Sequence, residues 1–169
     1  MPGRIYTLRH LECIHPADPS EGGYFGCDQN WYPTDWQRVA GCAPTTVSTI
    51  LAYLQASGRI VLPTPILRHA DCLTLMEAVW THVTPTEDGV SRIKPFCEGI
   101  GRYAQANGIA LSCRSLSVPP TGLPRPTSME AADFIREALT GDYPVAFLNL
   151  DSGQVGTLED WHWVTIVEM

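Results

Sequence analysis

Between residues 42 and 57 the chain carries no charged side chain. The stretch, CAPTTVSTILAYLQAS, sets Val47, Ile50, Leu51 and Leu54 at helical spacing. Pro44 suits a first helical turn, where its missing N–H has no partner to lose, and Gly58 suits the end. A helix without a charged face is disfavoured on a surface, so the rest of the chain must cover it on most sides.

The composition can supply that cover. With 169 residues, 44% of them hydrophobic and 17% charged, the chain reads as one globular domain over 1–169 that needs no metal or disulfide to hold its core. Eighteen acidic residues against 11 basic ones give a net charge of -7. No Lys/Arg cluster exceeds a pair, which argues against nucleic acid as a partner. The start, MPGRIYTLRHLECIHPADPS, lacks a basic region followed by an apolar one, and no run approaches a membrane span. The expectation is a soluble, cytoplasmic protein without a membrane partner. Cys13, Cys27, Cys42, Cys72, Cys97 and Cys113 are irregularly spaced, with no C-x-x-C pair and no histidine placed to complete a zinc site. That pattern predicts free thiols, no metal and no cofactor.

Along the chain, 4–8 reads as a short strand and 12–33, rich in Gly, Pro, Asp and aromatics, as an ordered loop. Helices are predicted over 71–82 and 93–106, the second stopped by Asn107-Gly108, and a strand over 109–118. Four prolines between 119 and 126 make a stiff crossing. Thr127 and Glu130 form a capping-box pair that opens a helix ending at Gly141. PVAFLNL (144–150) and WHWVTIVEM then look like a strand pair. In the last strand, alternation puts Trp161, Trp163 and Thr165 on one face and His162, Val164 and Ile166 on the other, the second read as inward. Helices first, strands last and no βαβ alternation give the class α+β.

Chemistry concentrates at Cys42. A thiol at a helix N-terminus meets unpaired N–H groups and the positive end of the dipole, which should lower its pKa. Gly41 before it permits close backbone approach. A thiolate needs a cation and later a proton donor, and histidine serves both needs. Of His10, His15, His69, His82 and His162, the last stands apart in a strongly apolar strand between two tryptophans.

A cysteine opening a buried helix early in the chain, with a histidine on a late strand, is the chain order of papain-like thiol hydrolases. GCAPTTVSTILAYL resembles the G-C-G-P-T helix of the C39-like cysteine peptidases, and WHWVTIV resembles their histidine strand. The resemblance covers about 26–54 and 144–167. It implies a papain-like α+β fold: a buried central helix carrying the cysteine, packed on a C-terminal antiparallel sheet carrying the histidine. It further implies a cysteine peptidase or related thiol amidohydrolase acting through an acyl-enzyme on a peptide or amide substrate. Cys42 would be the nucleophile, His162 the general base and acid, and a glutamine the oxyanion donor. Gln29, in CDQNWYPTDW, matches the family's D-Q-x-W stretch and is preferred; Gln37 has the shorter papain-type spacing. Trp31, Trp36 and Trp161 are candidate substrate-binding walls.

The departures are Ala43 where the family has glycine, and the lack of an Asp or Asn between His162 and Met169. Glu168 shares the strand but at roughly 3.3 Å per residue lies about 20 Å from His162. Asn149, Asp151 or Asp160 could orient the imidazole, the enzyme could work as a Cys-His dyad, or the chain could be a shortened, weakened homologue. A non-catalytic papain-like module that binds a peptide or partner protein, and a transferase with the same machinery, are the alternative functions. The apolar alternation at the chain's end would leave a sheet edge, which predicts a homodimer.

Overall fold

A computed structural model describes residues 5–14, 25–66, 68–119, 122–151 and 155–169. Its helices are α1 (Asp35–Ala40), α2 (Cys42–Ala56), α3 (His69–Trp80), α4 (Ile93–Ala106) and α5 (Ser128–Thr140). Two strands follow, β1 (Val145–Asn149) and β2 (His162–Ile166), and short 3-10 turns lie at Leu11–Ile14 and Gln29–Trp31. The class is α+β, as the order of elements predicts.

The uncharged helix α2 is the centre of the molecule. All of its residues from 42 to 49 are buried. Val47 and Leu51 pack into a cluster with Leu75 and Val79 of α3, Phe96 and Ile100 of α4, and Trp163 of β2. Tyr53 and Leu54, further along α2, pack into a second cluster with Leu8, Ile14 and Leu139. Supplying both clusters requires apolar side chains around α2, which is why its sequence tolerates no charge.

The strands pair antiparallel, with Asn149 opposite His162 and Leu148 opposite Trp163. Ala146 and Leu148 pack against the same cluster as Trp163, so the core face of the sheet belongs to Trp163. The expectation that His162 points inward is thereby corrected: it shares the other face with Asn149. Trp163 stacks on Phe96 at 3.9 Å and donates its indole N–H to the Val90 carbonyl at 2.6 Å. That polar handle lets so large a ring lie buried.

Two further expectations change. The segment 109–118 forms no strand; Ile109 and Leu111 cover the first cluster. Strand character at the N-terminus reduces to a bridge between Thr7 and Glu168, where Tyr6 and Leu8 donate to the Met169 and Val167 carbonyls at 2.8 and 3.0 Å. Residues 167–169 of the C-terminal edge, on which a second copy was expected to dock, are therefore occupied by the chain's own N-terminal segment. Arg4, His15 and residues 120–121 of the proline-rich crossing lie outside the described residues. Among the described residues no helix is long and apolar enough to cross a membrane.

Candidate active site

Cys42 is the first residue of α2, and Gly41 is at once the end of α1 and the N-cap of α2. The two helices turn so tightly there that a Cβ on Gly41 would lie 2.4 Å from the Gln37 carbonyl and 2.7 Å from the Tyr32 ring. Gly41 has φ −82°, so space rather than conformation demands glycine. His162 opens β2 directly after Trp161, whose φ of 57° puts it in the left-handed region. The strand thus begins at a sharp corner, and its first side chain faces a cleft.

That cleft, of about 550 Å³, is lined by Cys42, His162 and Gln29 together, with Cys27, Thr45 and Thr49 among its other walls. The backbone N–H of Trp163 is among the groups that pull the Cys42 pKa down. N–H and C=O directions alternate along a strand, so 163, 165, 167 and 169 turn their backbone groups to one side. The far end of that side pairs with residues 6–8, and the near end, at Trp163, meets the nucleophile candidate.

The thiol itself departs from expectation. Burial pushes the Cys42 pKa above its ordinary value, more than the N–H groups of Trp163, Ala43 and Cys42 lower it. Desolvation outweighs the helix terminus because the charged form loses water on nearly every side. The local field favours a neutral thiol over a standing thiolate.

Gln29 reaches the cleft, but its amide N–H groups donate to the carbonyls of Arg38 and Val39 at 2.6 and 3.3 Å, the last turn of α1. Gln37 is buried and donates to Glu77 at 3.0 Å while accepting from Thr34; it does not line the cleft. Nor do Trp31, Trp36 and Trp161, the expected aromatic walls. Trp31 packs edge-on against His69 at 4.0 Å, and Trp36 and Trp161 are exposed. Phe25 and Trp163 are the aromatic residues that border the cleft.

Glu159 lies in ion-pair range of His162, with 3.9 Å between its Oε2 and the imidazole Nδ1. Sequence reasoning weighed Asp160 and passed over Glu159, although the three-residue spacing across a turn was the available signal. Asn149, directly across the ladder, is buried and donates its amide to the Glu159 carbonyl at 2.7 Å. It holds the turn that carries Glu159 and His162. Among the described residues no cluster of side chains suited to a metal ion occurs. No protein-family model matches this chain, and neither the curated proteins nor the solved structures give a significant match.

Proposed function

We propose that this protein is a cysteine peptidase or related thiol amidohydrolase in which Cys42 attacks an amide carbonyl and His162 moves the protons. The observation that carries this reading is the cleft that Cys42 and His162 line together from facing elements. Because the thiol rests neutral, the imidazole takes its proton as the sulfur attacks. Negative charge then develops on the carbonyl oxygen at the N-terminus of α2, where the N–H groups of the first turn lack intrahelical partners. The protonated imidazole returns its proton to the leaving amine, leaving a thioester on Cys42. Water, deprotonated by His162, then releases the acid. Glu159 and Asn149 position the imidazole and its turn.

A second reading has its own support. The Gln29 amide is engaged with α1 and the Cys42 thiol is held neutral, features that suit a papain-like module binding a peptide without cleaving it. Reaction with p-nitrophenyl acetate, followed by peptide mass mapping, separates the two. The catalytic reading expects acetylation concentrated on Cys42, absent in Cys42→Ala and slowed about 100-fold in His162→Ala. Acetylation spread equally over the cysteines, or unaffected by loss of His162, would favour the binding module.

A further inference from the structure

The shape of the cleft goes beyond what the proposed chemistry needs. Residues 162 to 165 all line it, and so do residues 25 to 30. Consecutive residues of a strand point their side chains to opposite faces, so what 162–165 present in common is the strand's edge. The cleft is a slot between that edge of β2 and the loop 25–30, with Thr45 and Thr49 of α2 as its floor.

The two walls differ in what they offer a ligand. Along the loop, the Gly26 N–H donates to the Ile14 carbonyl at 2.8 Å, the Cys27 N–H to Thr49 Oγ1 at 3.0 Å and the Asn30 N–H to Asp28 Oδ1 at 2.8 Å. Along β2, residues 162, 164 and 166 turn their backbone groups towards β1, because 167 and 169 turn theirs to the N-terminal segment and direction alternates. Thr165 therefore points its N–H and C=O away from β1, along the slot, and among the described residues neither meets a backbone partner there.

The same edge accepts a strand further on. Tyr6 and Leu8 bond to Met169 and Val167, running antiparallel to β2. That segment leaves before it reaches the slot: the Arg9 N–H turns to Asp142 at 2.8 Å, and a 3-10 turn follows at Leu11–Ile14. Continued in line, positions 10 and 12 would have stood opposite Thr165 and Trp163.

We propose that the slot takes an extended peptide, which continues the line of residues 6–8 and adds to β2 as an antiparallel strand. One peptide residue exchanges both of its backbone hydrogen bonds with Thr165. The peptide then runs from the Val167 end towards Trp163, so its N-terminal part lies on β2 and its scissile carbonyl arrives beside Cys42. Main-chain binding selects conformation more than sequence: an unfolded polypeptide segment fits, with no proline opposite Thr165, and a small free amide does not. This names the substrate class of the proposed hydrolase and rests on that reading.

The test attaches acetyl-tetraalanyl chloromethyl ketone to Cys42 of the full natural chain, verified by peptide mass mapping, and follows amide hydrogen exchange by NMR. Before attachment, Thr165 should exchange at least about tenfold faster than Val164 and Ile166, which bond to β1. Equal protection would mean that this chain or a second copy already covers the edge, and would overturn the proposal. In the adduct, Thr165 exchange should slow at least about tenfold, while acetyl-alanyl chloromethyl ketone should leave it unchanged. Tetraalanyl ketones N-methylated at successive residues should lose the effect only at alternate positions, the period of a strand. Unchanged Thr165 exchange in the tetraalanyl adduct, equal losses at adjacent N-methyl positions, or a tetraalanyl ketone that cannot reach Cys42 would each overturn it. The His162 dependence of acetylation by p-nitrophenyl acetate reports on catalysis separately: it can fail while Thr165 is protected, or hold while Thr165 is not.

Discussion

Gly41 fixes the geometry on which Cys42 depends. The nearest obstacle to a side chain there is backbone, the Gln37 carbonyl, which cannot rotate aside. Gly41→Ala is therefore expected to cost about 2–3 kcal/mol, read as a lowered urea midpoint with unchanged m-value; an unchanged midpoint would show that the α1–α2 corner yields freely. At this scale the sequence was informative about identity and poor on state. That Cys42 opens a buried helix and His162 lies on a late strand was legible from the sequence. The protonation of Cys42 was not, because it depends on burial by residues as distant as Trp163. Gln29 was legible as a cleft residue, but its amide direction is set by the free carbonyls that end α1. Glu159 was missed because only the turn geometry brings its carboxylate towards His162.

At the scale of elements, local signals served best where local physics decides. The Thr127–Glu130 capping box forms as read: the Thr127 hydroxyl accepts from the Glu130 N–H at 3.1 Å, and the Glu130 carboxylate accepts from the Thr127 N–H at 2.7 Å. Thr127→Ala should destabilise the protein by about 1 kcal/mol, while Thr127→Ser should cost much less; thermal unfolding of the two variants checks the difference. α4 occupies the residues its periodicity indicates. The segment 109–118 fails as a strand for the complementary reason: β-propensity reports how side chains fit a half-buried sheet, and Ile109 and Leu111 lie against the first cluster instead. α1 had escaped notice because six residues carry too little periodicity to be read.

Across the whole molecule, Asp142 is the tie between distant parts. One carboxylate oxygen accepts from the Arg9 N–H at 2.8 Å and the Tyr53 hydroxyl at 2.5 Å, and the other from Arg59 at 3.3 Å. Burial pushes the Asp142 carboxyl up, but these donors more than reverse that and hold it below its ordinary value. Its contribution is thus fully present above the unfolded value near 4 and is lost as pH falls through the lower folded value. Asp142→Ala should cost about 3 kcal/mol at pH 7, a loss that urea unfolding would show shrinking below pH 4. The alkaline side has the opposite cause. Burial raises the thiol of Cys42 and the hydroxyls of Tyr32 and Tyr53, so the folded chain keeps protons that the unfolded chain releases. Stability from these groups is complete below their unfolded values, about 8.5 for cysteine and 10 for tyrosine, and falls as pH rises beyond them. The urea midpoint should be lower at pH 10 than at pH 7.5; equal midpoints would contradict the assigned shifts.

The sequence by itself determined that α2 would be central, that Cys42 would stand at its tip, where α5 would begin, and that the last two runs would pair. Each of those outcomes rests on interactions within a few residues, or on the free energy of keeping an uncharged helix away from water. Only the tertiary structure decided that the Cys42 thiol rests neutral and that His162 faces the cleft from the side of the sheet away from the core. Those depend on desolvation and strand register, which arise when segments tens of residues apart are brought into contact.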